Sequence, residues 1–201
     1  MPPVPENIKL FHMTALDNLS KILDAKCIKT KKQLVQEEIS HTNIAFENIQ
    51  EKRALKQVEI EPHGTLHDYV PFWFAPRQPM LYTIMDSEIN GHLIKQENIC
   101  YLVTDLNRIQ ESSYDYVFYD GHPIVSYSRC FNNLADLEQI RWEIFFEEPL
   151  LDGYCKYWKD DRETPGREDR MRIRQAEFLI KDSFELNHIQ FIAVKTEQAR
   201  Q

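Results

Sequence analysis

The sequence predicts an α+β fold in one domain, residues 1–201, and three observations carry that prediction. Strand-like runs at 8–13, 70–74, 99–104, 116–119 and 177–180 do not alternate regularly with helical patterns, which disfavours a doubly wound parallel sheet. No internal repeat, P-loop, GxGxxG or HExxH motif occurs. The 201 residues, 42% of them hydrophobic, suffice for one compact core and not comfortably for two.

Taken in order, Ile8-Lys9-Leu10-Phe11-His12-Met13 alternates in strand fashion. Thr14, with Asp17 three positions on, reads as the N-cap of an amphipathic helix over 15–25, where Leu16, Leu19, Ile22 and Leu23 recur at helical spacing. His12 then sits at a strand-to-helix junction, a place that suits a ligand as well as a histidine bonded to backbone. Residues 30–42 are polar and read as a mobile connection, followed by a helix over 43–54. Arg53 falls near its end, where a solvated cation is favourable to the helix dipole.

The stretch 64–82 is dense in aromatic residues and proline: a strand at 70–74, a turn at Pro76 and Pro79, and a helix over 80–89. Pro71, Pro76 and Pro79 fix backbone angles and suggest a rigid wall. Strands follow at 99–104, 116–119 and 123–127, the last two around an Asp120-Gly121 turn. Leu134, Leu137, Ile140 and Ile144 mark a helix over 133–146, residues 150–171 are loop-like, and a strand over 189–194 closes the chain.

The formal net charge of −8 argues against a protein that coats nucleic acid electrostatically, while leaving room for a small basic groove on an acidic body. Cys27, Cys100, Cys130 and Cys155 form no CxxC or Cys/His cluster, which reads as free thiols in a reducing compartment and not as a zinc site. The N-terminus lacks a basic and apolar leader, and no apolar run approaches the ~20 residues of a membrane span. These features predict a cytoplasmic protein with no membrane partner.

One segment stands out. Residues 172–180 read as a buried strand, Phe178-Leu179-Ile180 at its heart, yet Glu177 stands where a hydrophobe belongs. A carboxylate there is costly unless it faces a cleft, pairs with a cation or takes part in chemistry. Residues 156–174 hold seven Lys/Arg against five acids, a local +2 on an otherwise acidic chain.

Four blocks then acquire meaning together. Phe11-His12-Met13-Thr14 with Asp17-Asn18-Leu19, His67 to Phe72 with Phe74-Ala75-Pro76-Arg77-Gln78-Pro79-Met80, Asn133-Leu134-Ala135-Asp136, and Arg174-Gln175-Ala176-Glu177-Phe178-Leu179 occur in that order. Jointly, over about residues 8–194, they resemble the DarT family, DNA ADP-ribosyltransferase toxins of bacterial toxin–antitoxin systems. The resemblance implies an ADP-ribosyltransferase fold: two packed, mostly antiparallel sheets forming a cleft for NAD. It implies transfer of ADP-ribose from NAD to N3 of thymine in single-stranded DNA, with no metal and with a macrodomain antitoxin of the DarG type as partner.

By the same resemblance, Glu177 and Arg53 are the catalytic residues. His12, Met13, Thr14, Ile28, Arg53 and Tyr82 bind NAD, Tyr82 by stacking on nicotinamide. Lys156, Tyr157, Trp158, Arg162, Arg170, Arg172 and Arg174 form the DNA-reading loop, with Ile173 interrupting the consecutive basic residues that the family places ahead of Gln-Ala-Glu-Phe. Other readings of the same residues are a guanine-modifying relative, an NAD glycohydrolase or protein ADP-ribosyltransferase, and a non-catalytic nucleic-acid-binding module in which Glu177 is the salt-bridge partner of Arg172 or Arg174.

Overall fold

The computed structural model describes residues 3–86, 88–89, 91–146 and 159–200. β1 (Lys9–Ala15) passes through a 3-10 turn (Leu16–Asn18) into α1 (Leu19–Ala25). Thr14 does not cap this helix. It lies within the strand, and its Oγ1 accepts a 3.0 Å bond from the side-chain amide of Asn18. β2 (Cys27–Lys29) and α2 (Lys31–Gln36) follow, so helix occupies part of the polar stretch read as a mobile connection. Its cause is a reciprocal capping box: Thr30 Oγ1 accepts from Gln33 N, and the Gln33 side chain accepts from Thr30 N.

Next come α3 (Glu47–Leu55), β3 (Tyr69–Trp73) and α4 (Pro79–Asp86). The helix expected to reach residue 89 stops sooner, because β4 (Glu88–Ile89) pairs with β5 (His92–Leu93). β6 (Ile99–Asp105), α5 (Leu106–Gln110), β7 (Tyr116–Tyr119) and β8 (Cys130–Phe131) continue the chain. The strand expected at 123–127 is instead a series of turns, in which Val125 N bonds His122 O and Ser128 N bonds Val125 O.

The helix expected over 133–146 is split into a 3-10 segment (Leu134–Gln139) and α6 (Trp142–Phe146), with Ile140 extended between them. The reading of 172–180 as continuous strand also needs correction. α7 (Arg170–Ile173) makes a helical turn, and β9 (Glu177–Lys181) begins only at the glutamate. β10 (Ser183–Glu185), β11 (Phe191–Val194) and α8 (Glu197–Arg200) complete the described chain.

Seven strands form one sheet in the order β11-β6-β1-β3-β9-β7-β8, with antiparallel pairing between neighbours. Its two halves are joined thinly. β1 pairs with β6 from Lys9↔Asp105 to Ala15↔Ile99, and β3 pairs with β9 from Tyr69↔Lys181 to Trp73↔Glu177, but β1 and β3 share only the pair Phe11↔Trp73. The two sheets expected from the sequence are these halves, continuous at one point and splayed elsewhere. Proline explains the splay. Pro71 has no N–H to give across the seam, and its carbonyl accepts instead from His12 Nδ1 at 2.9 Å.

β9 is buried on both faces. Phe178 stacks against Tyr116 and Phe118, with ring centroids 5.0 and 5.9 Å away, while Leu179 packs with Val58, Leu66, Tyr69 and Tyr119 on the opposite side. A strand gripped on both faces fixes the height of its first residue, Glu177.

Candidate active site

Trp73↔Glu177 closes the β3–β9 ladder, so Glu177 lies level with the single point, Phe11↔Trp73, at which β1 and β3 are joined. Arg53, in the last turn of α3, reaches it with both arms: Nη1 to Oε1 and Nη2 to Oε2, each 2.9 Å. Arg53 is 8% exposed and Glu177 2%. The cation read as solvated is therefore buried. A fork-on-carboxylate pair is the arrangement that makes two buried charges tolerable, and removing one partner of such a pair typically costs about 3–5 kcal/mol.

A cleft of about 970 Å³, its open mouth included, runs from Arg53 along the seam. Its walls carry His12, Met13, Thr14, Ile28 and Arg53, five of the six NAD-binding residues expected from the sequence, together with Lys21, Lys29, Lys31, His41 and His67. Among the described residues four cations and no carboxylate line it, although the chain as a whole is acidic. Lys29 is paired with Glu37, while Lys21 and Lys31 hold neutral partners, Ser40 and His41.

The histidines register the resulting positive field. Burial lowers the His67 pKa to about 4, and Arg53 and Lys31 push in the same direction. Burial also lowers His41, reinforced by Lys31 and Lys21. His12 falls to about 4 through burial, opposed by its bond to Pro71 O. A carbonyl only accepts, so His12 carries its proton on Nδ1, leaving Nε2 as an acceptor. Asn18 fastens residue 42 to the end of β1, donating to Thr42 O and accepting from Thr42 N.

A second cleft, about 600 Å³ with its mouth, shares Ile44 with the first and is walled by Phe46, Pro79, Met80, His122 and Gln175. Burial lowers the His122 pKa, while Glu177 raises it and Arg53 lowers it, so this histidine senses both members of the central pair. Tyr82 lies on α4, 39% exposed, outside the walls of both clefts.

The basic segment ahead of Glu177 is arranged differently from its sequence reading. Lys156, Tyr157 and Trp158 lie outside the described residues. Arg170 is buried, and Arg174, 1% exposed, donates to the carbonyls of Ile144 and Arg77. Arg172 binds Asp120 and Asp169. Burial opposes its charge, but the hydrogen bonds to Asp169 and Asp120 carry its pKa above the ordinary arginine value. Glu177 pairs with Arg53 and not with Arg172 or Arg174. Among the described residues no group of three His, Cys, Asp or Glu side chains is placed to hold a metal ion.

His67, Lys31, His41 and His122 received no role from sequence. His67 lies within a block of the resemblance, but nothing local marks it as a cleft residue. Lys31 and His41, ten positions apart, meet through the fold of their segment.

A family described as "ssDNA thymidine ADP-ribosyltransferase, DarT" matches residues 11–201. The chain belongs to the DarT family. A DNA ADP-ribosyl transferase of Thermus sp. (strain 2.9) is 36% identical over 196 residues, 96% of this chain and 84% of that protein. The DarT fold is shared as well. Thermus sp. 2.9 DarT in complex with ADP-ribosylated ssDNA superposes with a TM-score of 0.82 at 33% identity, covering 98% of this chain and 86% of that one. The same protein in complex with NAD+ gives 0.78 at 31%, with the same coverage. The family and the ADP-ribosyltransferase fold expected from the four sequence blocks are thus both met. Among the described residues, no helix is long and apolar enough to cross a membrane.

Proposed function

We propose that the protein transfers ADP-ribose from NAD to N3 of thymine in single-stranded DNA, releasing nicotinamide. The observation that carries this reading is the buried Arg53–Glu177 pair, with Arg53 in the wall of a cationic cleft on which no described residue places a carboxylate. Such a cleft suits a pyrophosphate, which Lys21 and Lys31 would meet without displacing a carboxylate. His12 Nε2 accepts from a ribose hydroxyl. Met13 and Thr14 offer backbone groups where β1 is no longer paired with β3, and Ile28 supplies an apolar wall. Support for both substrates also comes from the Thermus sp. 2.9 relative, which is bound to NAD+ in one structure and to ADP-ribosylated ssDNA in another.

Breaking the bond between nicotinamide and ribose leaves an oxocarbenium-like centre. Glu177 holds the ribose 2′-OH and places negative charge where positive charge develops, an effect of about 10²–10³-fold in rate. Thymine N3 forms the new bond to the ribose carbon that nicotinamide leaves, and its proton passes to solvent water. Arg53, whose pKa lies far above neutrality, stabilises the negative charge on the base and does not itself accept the proton. The second cleft, lined by Met80, His122 and Gln175, receives the base. Arg162 and the segment containing Lys156, Tyr157 and Trp158 guide the strand by charge and stacking; Arg170, Arg172 and Arg174 shape the base of that segment. In the cell this modification blocks replication, and a macrodomain antitoxin of the DarG type removes it.

The test is mass spectrometry of defined single-stranded oligonucleotides after incubation with NAD. The expected product is one ADP-ribose on thymine with nicotinamide released. An adduct on guanine would move the protein to a guanine-modifying specificity, and NAD consumption without any DNA adduct would make it a glycohydrolase.

A further inference from the structure

The register Phe118↔Phe178 brings the end of β7 alongside the start of β9, so the chain leaves β7 next to Glu177. It turns at once through Asp120, Gly121 and His122, and His122 emerges on the wall of the second cleft. Arg172 holds this turn from the opposite side. Its Nη1 donates to Asp120 Oδ1 at 2.9 Å and to Ser128 Oγ at 3.1 Å, and its carbonyl accepts from His122 N at 3.0 Å. Its guanidinium lies 5.0 Å from the Tyr127 ring centroid, and its Nε is anchored by Asp169 at 2.6 Å. Asp120 is buried and also accepts from Arg129 N and Nε at 2.9 and 2.7 Å. The packing is so close that a Cβ on Gly121 would collide with the Arg172 guanidinium. An arginine whose Nη1 and Nε are both held by protein carboxylates is committed to organising the chain rather than to receiving a phosphate.

We propose that Arg172 is a positioning residue that clamps the 120–129 turn to the root of β9 and thereby fixes His122 beside the acceptor cleft. The clamp deepens the DNA ADP-ribosyltransferase reading and rests on it. Its logic is geometric: Arg172 precedes Glu177 by five residues and grips the turn that follows β7, so one side chain sets the relation between the catalytic strand and the second cleft.

The experiment compares Arg172→Ala, Arg172→Lys, Asp120→Asn, His122→Ala and the double variant Arg172→Ala/His122→Ala. The measurements are single-turnover transfer to a thymine-containing oligonucleotide, oligonucleotide affinity across a salt series, and NAD affinity. Arg172→Ala should lower the rate at saturating oligonucleotide by about 10- to 100-fold, the scale of a small displacement of a reacting group. NAD affinity and the salt slope should stay as in the native protein, and the double variant should lose no more than the weaker of the two singles. A retained saturating rate with weakened oligonucleotide binding and a salt slope smaller by about 0.7 would make Arg172 a phosphate contact and overturn the proposal. Multiplying losses in the double variant would reduce Arg172 to general scaffolding and overturn it equally. Should Arg172→Ala not fold, Asp120→Asn and Arg172→Lys decide by the same readouts. Failure of the native protein to modify DNA sinks the underlying activity, whereas an active native protein with either contrary outcome sinks only the clamp.

Discussion

The first cleft and the basic segment ahead of Glu177 are both rich in cations, yet they treat those charges in opposite ways. In the cleft, Lys21 and Lys31 face Ser40 and His41, and no described residue puts a carboxylate on the wall. In the segment, Arg172 meets Asp120 and Asp169, and Arg174 caps two carbonyls. Uncompensated charge attracts an anionic ligand, whereas compensated charge organises the chain around it. A count of basic residues cannot separate the two uses, because it does not say where the acids will be.

Three experiments sharpen that contrast. The largest effect belongs to the pair where the cleft ends. Glu177→Gln retains the shape of the side chain and an oxygen facing Arg53, so the fold should persist while transfer to DNA falls by about 10²–10³-fold or more; substantial activity in a folded variant would remove Glu177 from the chemistry. Next, Lys31→Glu puts a carboxylate into the cationic wall and should weaken NAD binding about 10-fold in calorimetry, with the loss shrinking as salt rises. Arg172→Ala in the compensated region should leave NAD affinity unchanged, and equal losses from both would erase the distinction.

A further effect is on stability against pH. His12 takes up a proton near 6.5 when unfolded but only near pH 4 when folded, so between those values the unfolded chain binds more protons. Its contribution is complete above pH 6.5 and declines as the pH falls toward 4, by about 1.4 kcal/mol per unit. Thermal melts from pH 7 to 4 should show this decline, and His12→Gln should flatten it. An unchanged slope in that variant would place the titration elsewhere, with His67 the first residue to examine.

Much of the sheet was legible in the sequence. Alternation exposed β1, and the branched and aromatic runs marked β3, β6, β7 and β9, because burial on the faces of a sheet leaves a direct pattern. The Thr30–Gln33 box was equally available and would have announced α2. What escaped was tertiary. Pro123 and the turn bonds at His122 and Val125 override the strand-like character of 123–127. α7 hides inside an apparently continuous strand because its helical turn is too short for periodicity to declare.

The site was legible in part. Glu177 was conspicuous as a carboxylate beside Phe178-Leu179-Ile180, His12 lies in the first of the four blocks, and Arg53 followed only from the resemblance they carry. The partnership of Arg53 with Glu177 spans 124 positions, and no local pattern announces a contact that distant. The clamp at Arg172 was invisible for the same reason. Its partner Asp120 reads as an ordinary turn residue until the two strands beside it are in register.

Pro71 leaves a last consequence. Had an ordinary residue stood there, its amide would seek a carbonyl on β1, and the two strands would be drawn to zip together across the opening. An imino acid removes that temptation at its source. A ligand entering between the halves therefore meets one ladder bond fewer to displace, and at Pro71 the empty protein leaves no amide unpaired by holding its strands apart.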